Sequence, residues 1–484
     1  MLNQDRYIKF GLFSLILGHL IAAYFSFGYH HPDEHYQILE WAHYFVGLAP
    51  NPAHLRWEFA SQIRPWFQPM LHAFFMKASL WMGVYNPFDL AFFFRLLYAA
   101  LNIWSIVALW DYFQKKYELS SKWFLLTSLL WFFPYIHVRT SSENLSGIFL
   151  SFALLMLLKN ENSLRSFFQA GLLFGFAFLA RYQIALGILG LGIVLLISDR
   201  GLRKKHLLLI LGFCLPIGLG VLLDRWGYGN WVFTPYRYFK VNILEHVAAS
   251  FNPYPWYQYL IWIAQLNPLI SLPLLYGVSR FSFKNKLNVL SGFVMSFFIL
   301  HFFITNKEYR FLFPILNVAP FMAIAYFQET SFKRILGARA FLYFLLFLNL
   351  ASFSISSLHG ASTRTLWPTH AINQFYRSYP KTVWLSNRDY LVNDDVKYYN
   401  LNDISDFQPH EIHLYHTETE LQELMAKNPH SNVMIDGDLK DPLTQSFVKV
   451  VENRNCHLLT NAFPKMISER TKLSYQALYS CQKN

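Results

Sequence analysis

The sequence predicts a mainly α-helical, polytopic membrane bundle followed by a smaller α/β domain. Three observations predict it. Apolar stretches of roughly 17–25 residues, the length a bilayer crossing requires, recur through the first three quarters of the chain. Of the 484 residues, 54% are hydrophobic, 48 are Phe and only 14% are charged; soluble proteins usually carry about 25% charged residues. Beyond Leu358 polar residues return, together with short β-like runs.

The apolar stretches place crossings near 7–29, 88–113, 122–137, 143–158, 166–181, 183–198, 206–226, 257–279, 286–304, 310–329 and 339–357, about eleven transmembrane helices in all. The shorter ones are tolerable where bilayer thickness is uneven. No small-residue cleavage motif follows the first stretch, so it is read as an uncleaved crossing. Basic residues then mark every second loop: Arg6 and Lys9, Lys115 and Lys116, Lys159 and Arg165, Arg203 to Lys205, Arg280 and Lys284, Lys333 and Arg334. By the positive-inside rule these loops are cytoplasmic, which puts the N-terminus inside and the C-terminal domain outside. The same placement accounts for the net charge of +12 without nucleic-acid binding.

The segment 64–87 is apolar enough to cross, but a crossing there would invert every later loop. An interfacial helix keeps the charge pattern intact. The segment 30–63 is an external loop with a helix-like stretch, Asp33–Val46. After Leu358, strands are expected at Thr382–Leu385, Glu411–Tyr415, Asn432–Ile435 and Phe447–Val451, with a helix at Glu418–Lys427. Residues 1–357 thus form the membrane part and 358–484 a soluble extracytoplasmic domain of about 120 residues. Cys456 and Cys481 could pair if that domain faces an oxidising compartment. Cys214, in an apolar run, is expected to be a small buried residue. No internal repeat is visible.

The external loops hold the unusual polar chemistry. The first carries His31, Asp33, Glu34, His35, Glu58 and Arg64; later ones carry Arg139 and Glu143, Arg181, Arg237 and Lys240, and Lys307, Glu308 and Arg310. Ionisable groups at a membrane boundary are unfavourable enough that they usually have a task. An acid in one loop facing cations from others suits glycosyl transfer from a lipid-phosphate sugar. The attacking hydroxyl must give its proton to a carboxylate, and the leaving lipid phosphate needs cations around its growing charge. The donor's tail explains why such an enzyme would be a membrane bundle. Asp33 is the first candidate base and Glu34 its rival, with Glu58 shaping the local field. Arg139, Arg237, Lys307 and Arg310 are candidates to grip the phosphate. All must meet in one pocket at one bilayer surface.

Blander accounts exist for each. Asp33 could cap the helix it opens. Arg139 and Arg181 could be boundary anchors, and Lys307 to Arg310 an internal salt-bridge set. His31 and His35 are four apart, as metal ligands are, but the zincin spacing is missing, so no metal is expected. The aromatic residues of 226–259 fit an interfacial belt.

His31-Pro32-Asp33-Glu34 followed by Gln37 and Glu40, then Trp57-Glu58 and Ile63-Arg64-Pro65, Arg139-Thr140 through Glu143, Asp224 through Tyr236, Tyr238 to Asn242, and Lys307-Glu308-Tyr309-Arg310-Phe311 occur in this order. The set resembles the family 22 glycosyltransferases, the mannosyltransferases of lipid-linked oligosaccharide and GPI-anchor assembly. The 224–256 block is most similar to members that add the third GPI mannose. Two positions depart from the family pattern: Asn306 stands where a His is common, and Pro65 follows Arg64 where a Ser is. The resemblance implies a GT-C membrane fold, a polyprenyl or dolichyl phosphate mannose donor, a glycolipid or glycan acceptor, inversion at the anomeric carbon and no cofactor. It maps Asp33 onto the catalytic base. It also implies an endoplasmic reticulum membrane for a eukaryotic source and the inner or plasma membrane for a bacterial one. The alternatives are a lipid-sugar transporter or flippase, a scaffold whose C-terminal domain does the work, and a GT-C transferase moving arabinose, glucose or aminoarabinose.

Overall fold

The computed structural model describes residues 2–330, 339–358, 363–379, 382–388, 397–399, 401–405, 412–462, 465, 468 and 474–481. Lys333 and Arg334 of the last basic loop, and Glu411 of the second expected strand, lie outside the described residues. The protein is mostly helical. Among the described residues, five helices are long and apolar enough to cross a membrane: Arg6–Phe25, Pro87–Tyr117, Ser142–Lys159, Lys204–Tyr228 and Ala340–Ser357. The shorter apolar helices Leu164–Ala180, Tyr182–Ser198 and Val289–His301 stand beside them. The stretch expected at 310–329 is two helices, Tyr309–Leu316 and Ala319–Gln328, bent by 59°.

The remaining apolar stretches are broken too, for local reasons. The stretch at 122–137 divides into Ser121–Ser128 and Phe132–His137. The stretch at 257–279 divides at Asn267, whose left-handed backbone (φ 54°) ends one helix as Pro268 opens the next. Proline is well placed there, since the first helical position needs no N–H donor.

Helices Leu164–Ala180 and Lys204–Tyr228 run past each other nearly backbone to backbone. A Cβ on Gly171 would stand 2.2 Å from the Leu209 carbonyl oxygen, and one on Gly212 would stand 2.3 Å from that of Phe168. Without a hydrophobic driving force between helices in lipid, such small-residue contacts are what hold a bundle together. Cys214, on the second of these helices, is exposed rather than buried; the sequence position in an apolar run did not reveal that it lies on the outward face.

A chain of polar side chains runs through the apolar core. His19 Nε2 lies 2.9 Å from His137 Nδ1, and His137 Nε2 lies 2.8 Å from Asn317 Oδ1. Asn317 donates to Asn102 Oδ1 at 3.0 Å, and Asn102 to Asn144 Oδ1 at 2.9 Å. Asn144 Nδ2 in turn donates to the carbonyls of His137 and Arg139 at 3.0 and 2.7 Å. Asn317 sits in the break between the two bent helices, where a side chain can satisfy backbone and neighbours that a continuous helix would satisfy itself.

The segment 64–87 contains one fifteen-residue helix, Phe67–Trp81, short of the roughly 20 residues a crossing needs. It packs beside the helical stretch opened by Pro32–Glu34, which continues through a π-helical turn at His35–Leu39 into Glu40–Phe45.

Beyond residue 382 five strands form one mixed sheet: β1 (Val383–Ser386), β2 (Ile412–Leu414), β3 (Ser431–Gly437), β4 (His457–Asn461) and β5 (Tyr475–Cys481). Their order is β2-β1-β3-β5-β4, with β2, β1 and β3 parallel and β5 antiparallel to both its neighbours. The helix Glu418–Lys427 forms where expected, capped by Thr417 and Glu420. The expected strand at Phe447–Val451 is instead part of the helix Pro442–Asn453. Asp441 caps it, and Phe447, Val448, Val450 and Val451 bury one helical face; five residues are too few to separate a period of 2 from one of 3.6. Cys456 and Cys481 form a disulfide. The sheet region docks on the segment 30–63. Glu40 Oε1 accepts from Tyr398 N at 3.0 Å, His43 Nε2 lies 2.9 Å from Asp403 Oδ2, and Tyr36, Phe88, Tyr398, Tyr399, Met434 and Leu478 share one apolar cluster.

A valine at Gly212 must push the two helices apart. Gly212→Val is expected to destabilise the bundle by about 1–3 kcal/mol, read as a lower Tm of the purified protein; an unchanged Tm would show that the close crossing contributes nothing.

Candidate functional site

The site is organised by one guanidinium. Arg310 follows the short loop 303–308 and is nearly fully buried. Its Nη2 donates to Asp33 Oδ2 at 2.5 Å, its Nη1 to Glu143 Oε1 at 2.7 Å and its Nε to Glu308 Oε2 at 2.6 Å. Three separate segments of the chain therefore converge on one side chain. The planar fork of arginine allows this; a lysine amine could not present donors in three fixed directions.

Asp33 sits in the first turn of its helix, behind His31-Pro32. His31 is the N-cap: its Nδ1 accepts from the Asp33 backbone N–H at 3.2 Å. That leaves Nε2 to carry the proton and to donate to Glu308 Oε2 at 2.8 Å. Glu34 completes a capping box, its Oε1 accepting from the backbone N–H groups of His30 and His31 at 2.5 and 2.9 Å. Of the two acids in this motif, Glu34 is thus committed to holding the helix start, and Asp33 is left facing the cations. Arg64 Nη2 stands 3.7 Å from Asp33 Oδ2. His35 turns away from His31 and lies against Glu40 at 2.7 Å, so the two histidines do not share a site.

Glu143 is fully buried and is shared by Arg310 and by Arg181, whose Nη2 is 3.1 Å away. Glu58 Oε1 accepts from Gln37 at 2.8 Å. Arg139 is held by the backbone carbonyl and hydroxyl of Ser26, with Glu34 Oε1 3.8 Å away. Lys307 is buried, donates to the Ile304 carbonyl and lies 6.0 Å from the Tyr259 ring. Asp33, Arg64, Glu143, Arg181, Glu308 and Arg310 are therefore one cluster, with His31 and Glu58 at its edge and Arg139 and Lys307 close by. Arg237 and Lys240 are not part of it: both are exposed on the 234–244 segment, where Lys240 pairs with Glu245 at 3.5 Å. That segment reaches the cluster through Tyr238 instead, whose ring lies 5.5 Å from the Arg64 guanidinium carbon.

Charge, not solvent, sets the protonation of the acids. Burial raises the Asp33 pKa, but Arg310 and then Arg64 outweigh it and hold the carboxyl well below the usual carboxylate range. Burial works likewise on Glu308, and the hydrogen bond from His31 and the charge of Arg310 bring it down to about 2. Glu58, further from the cations, is pushed up, chiefly by burial, against the pull of Arg64.

Beside the cluster an apolar cavity of about 780 Å³ opens among the membrane helices. His30, Tyr135, Tyr259 and Tyr309 line it on the side of the cluster, while Trp131, Trp262, Leu266, Leu274, Phe298 and Ile355 are among the apolar residues lining the rest. Sequence reading did not find this cavity, because its walls are ordinary lipid-compatible side chains. It also did not find Ser26 or Gln68, neutral residues with no local signal. Glu40 and His43, which hold the sheet region, pair with residues some 360 positions away.

A family model described as the Alg9-like mannosyltransferase family matches residues 11–381. The chain is 27% identical over 330 residues to GPI alpha-1,2-mannosyltransferase 3 of Xenopus laevis, an alignment covering 66% of this chain and 59% of that one. It is 26% identical to the Homo sapiens protein of the same name, over 59% of this chain and 51% of that one. It is 28% identical to GPI mannosyltransferase 3 of Candida albicans, over 58% and 56%. The chain thus spans only between 51% and 59% of the length of these relatives. The fold is similar to that of ArnT from Cupriavidus metallidurans, solved bound to undecaprenyl phosphate, with a TM-score of 0.51 at 11% identity over 98% of this chain and 97% of that one.

The depressed pKa of Glu308 has a sign. Its contribution to stability is complete above its ordinary value of 4.5, shrinks as pH falls from there and is gone below about 2. Glu308→Gln should flatten the loss of Tm in that window; an acid profile identical to that of the unaltered protein would contradict the pairing with His31 and Arg310.

Proposed function

The chain belongs to the Alg9-like mannosyltransferase family, and from that premise we propose that it transfers mannose from a polyprenyl or dolichyl phosphate to a hydroxyl of a glycolipid or glycan, with Asp33 receiving the hydroxyl proton. One observation carries this proposal. The Asp33 carboxylate and the Arg310 guanidinium meet at 2.5 Å beside a cavity of about 780 Å³ whose walls suit a long hydrocarbon. The solved neighbour of similar fold was crystallised with undecaprenyl phosphate, a molecule of the class such a cavity would hold.

In this scheme the donor's tail lies in the cavity and its phosphate at the mouth, near Lys307 and Arg139. The acceptor oxygen attacks the anomeric carbon from the face opposite the phosphate. The bond from that carbon to the phosphate oxygen breaks as the new glycosidic bond forms, the configuration inverts, and the lipid phosphate leaves with the electron pair. The hydroxyl proton passes to Asp33. A carboxylate whose pKa is held low is a weak base, so it takes the proton late, once the attacking oxygen has become acidic. Its compensation is that it is ionised at every physiological pH. Lys307 and Arg139 stabilise the leaving charge, and no cofactor enters the scheme.

The remaining expectations fit the same proposal. Among the described residues five helices, or six if the bent pair is one span, are long and apolar enough to cross; in this proposal the shorter and broken stretches cross as well, about eleven passes in all. The alternating basic loops support a cytoplasmic N-terminus. The Cys456–Cys481 disulfide supports an oxidising, extracytoplasmic side for the sheet region: the endoplasmic reticulum lumen in a eukaryote, or the outer side of the plasma membrane in a bacterium.

Purified protein in lipid nanodiscs, given polyprenyl phosphate mannose and a mixed glycolipid pool, should yield a mannosylated product detectable by mass. Asp33→Asn should lower that rate by about 10²–10⁴ while the variant still inserts and stays folded. Turnover at the original rate would remove Asp33 from the role of base.

A further inference from the structure

A second, much smaller chamber of about 20 Å³ is lined by Gln37, Arg64, Gln68, Ser142, Arg181 and Tyr182 among others. Its walls are polar and apolar in equal part, Ile38, Pro65, Pro69 and Ala180 supplying apolar surface, and several atoms of its polar residues are idle. Arg181 is 4% exposed, yet its Nε and Nη1 find no hydrogen-bond partner among the described residues; the same holds for Arg64 Nε and for Gln68 Oε1. Gln68 is fixed from behind, its Nε2 donating to Tyr98 Oη at 2.8 Å and to the Thr140 carbonyl at 2.9 Å. Buried donors and acceptors without partners are strongly unfavourable, and a native structure keeps them where a ligand or water completes them.

Size and charge say what that ligand is. The chamber holds one water-sized group, since about 10–15 Å³ is the least a water needs. A whole sugar ring or a phosphate does not fit. The two guanidiniums that line it already face acids, Arg181 with Glu143 at 3.1 Å and Arg64 with Asp33 at 3.7 Å. Cations whose charge is already met have little call for a further anion. Free N–H groups and a free amide oxygen together match a neutral group that both accepts and donates.

Resting on the transfer reaction above, we propose that this chamber is the acceptor's specificity subsite, in which Arg181 and Gln68 clasp one non-reacting hydroxyl of the acceptor sugar. It stands beside Arg64, 3.7 Å from Asp33, so a sugar anchored there presents a neighbouring hydroxyl to the base. Arg181 and Gln68 then decide which hydroxyl is glycosylated.

The test uses full-length protein in nanodiscs, polyprenyl phosphate mannose as donor, and alkyl α-mannosides with each monodeoxy form as acceptors. Transfer is followed by mass, and acceptor binding separately by tryptophan fluorescence. Removing the clasped hydroxyl should raise KM and the binding constant roughly ten- to a hundred-fold. In Arg181→Lys and in Gln68→Met that discrimination should fall below about threefold. Gln68→Met carries the test alone if Arg181→Lys does not fold. Equal discrimination in protein and variants, or none in either, overturns the subsite. Binding that discriminates without any transfer would keep the subsite and reject the transfer reaction, whereas transfer without discrimination would do the reverse.

Discussion

Arg310 is the constraint on which the site depends. Three carboxylates from the first external loop, from the start of Ser142–Lys159 and from its own loop converge on one buried guanidinium. None of these groups could be buried alone, because an isolated ion in a low-dielectric setting is strongly unfavourable, and removing one partner of such a set leaves the others uncompensated. Loop positions that could otherwise drift by several ångströms are thereby locked together at a membrane boundary. The arrangement also explains why Asp33 stays ionised: the cations that hold it in place are the ones that lower its pKa.

The same convergence separates two environments around one carboxylate. One is an apolar cavity lined by His30 and Tyr309 among others; the other is a small chamber lined by Arg64, Gln68 and Arg181 among others. A reaction joining a lipid-borne sugar to a hydroxylated acceptor needs this division, because the two substrates differ mainly in how much of each is oil. The sheet region packs on the segment 30–63 through Tyr398, which meets Glu40, and Asp403, which meets His43, so it forms part of the wall around that segment and is not an appendage.

Much of this was legible in the sequence, for identifiable reasons. Apolar runs gave the helices of the bundle to within a few residues, because a crossing is a matter of composition and length. The break at Asn317 was not legible, since a single asparagine does not announce a kink, whereas Asn267-Pro268 does carry a break signal. Charged residues at loop boundaries pointed to Asp33, Glu143 and Arg310, but charge alone could not tell them from Arg237 and Lys240, which face outward. The spacing of His31 and Glu34 does carry a capping signal, with the acid at the third helical position; the histidine in the usual Ser or Thr place hid it. In the sheet region β4, β5 and the helix Pro442–Asn453 were not legible, because runs this short do not separate a strand from one face of a helix.

The polar thread through the bundle, from His19 to the Arg139 carbonyl by way of Asn317 and Asn102, means that the outer surface is moored from within. A neutral amide lying deep among hydrocarbon groups sets the height of the loop that carries Arg139 and Glu143. Damage to such an amide would be felt at a surface it never touches, and a survey confined to residues near substrate would miss the anchor altogether.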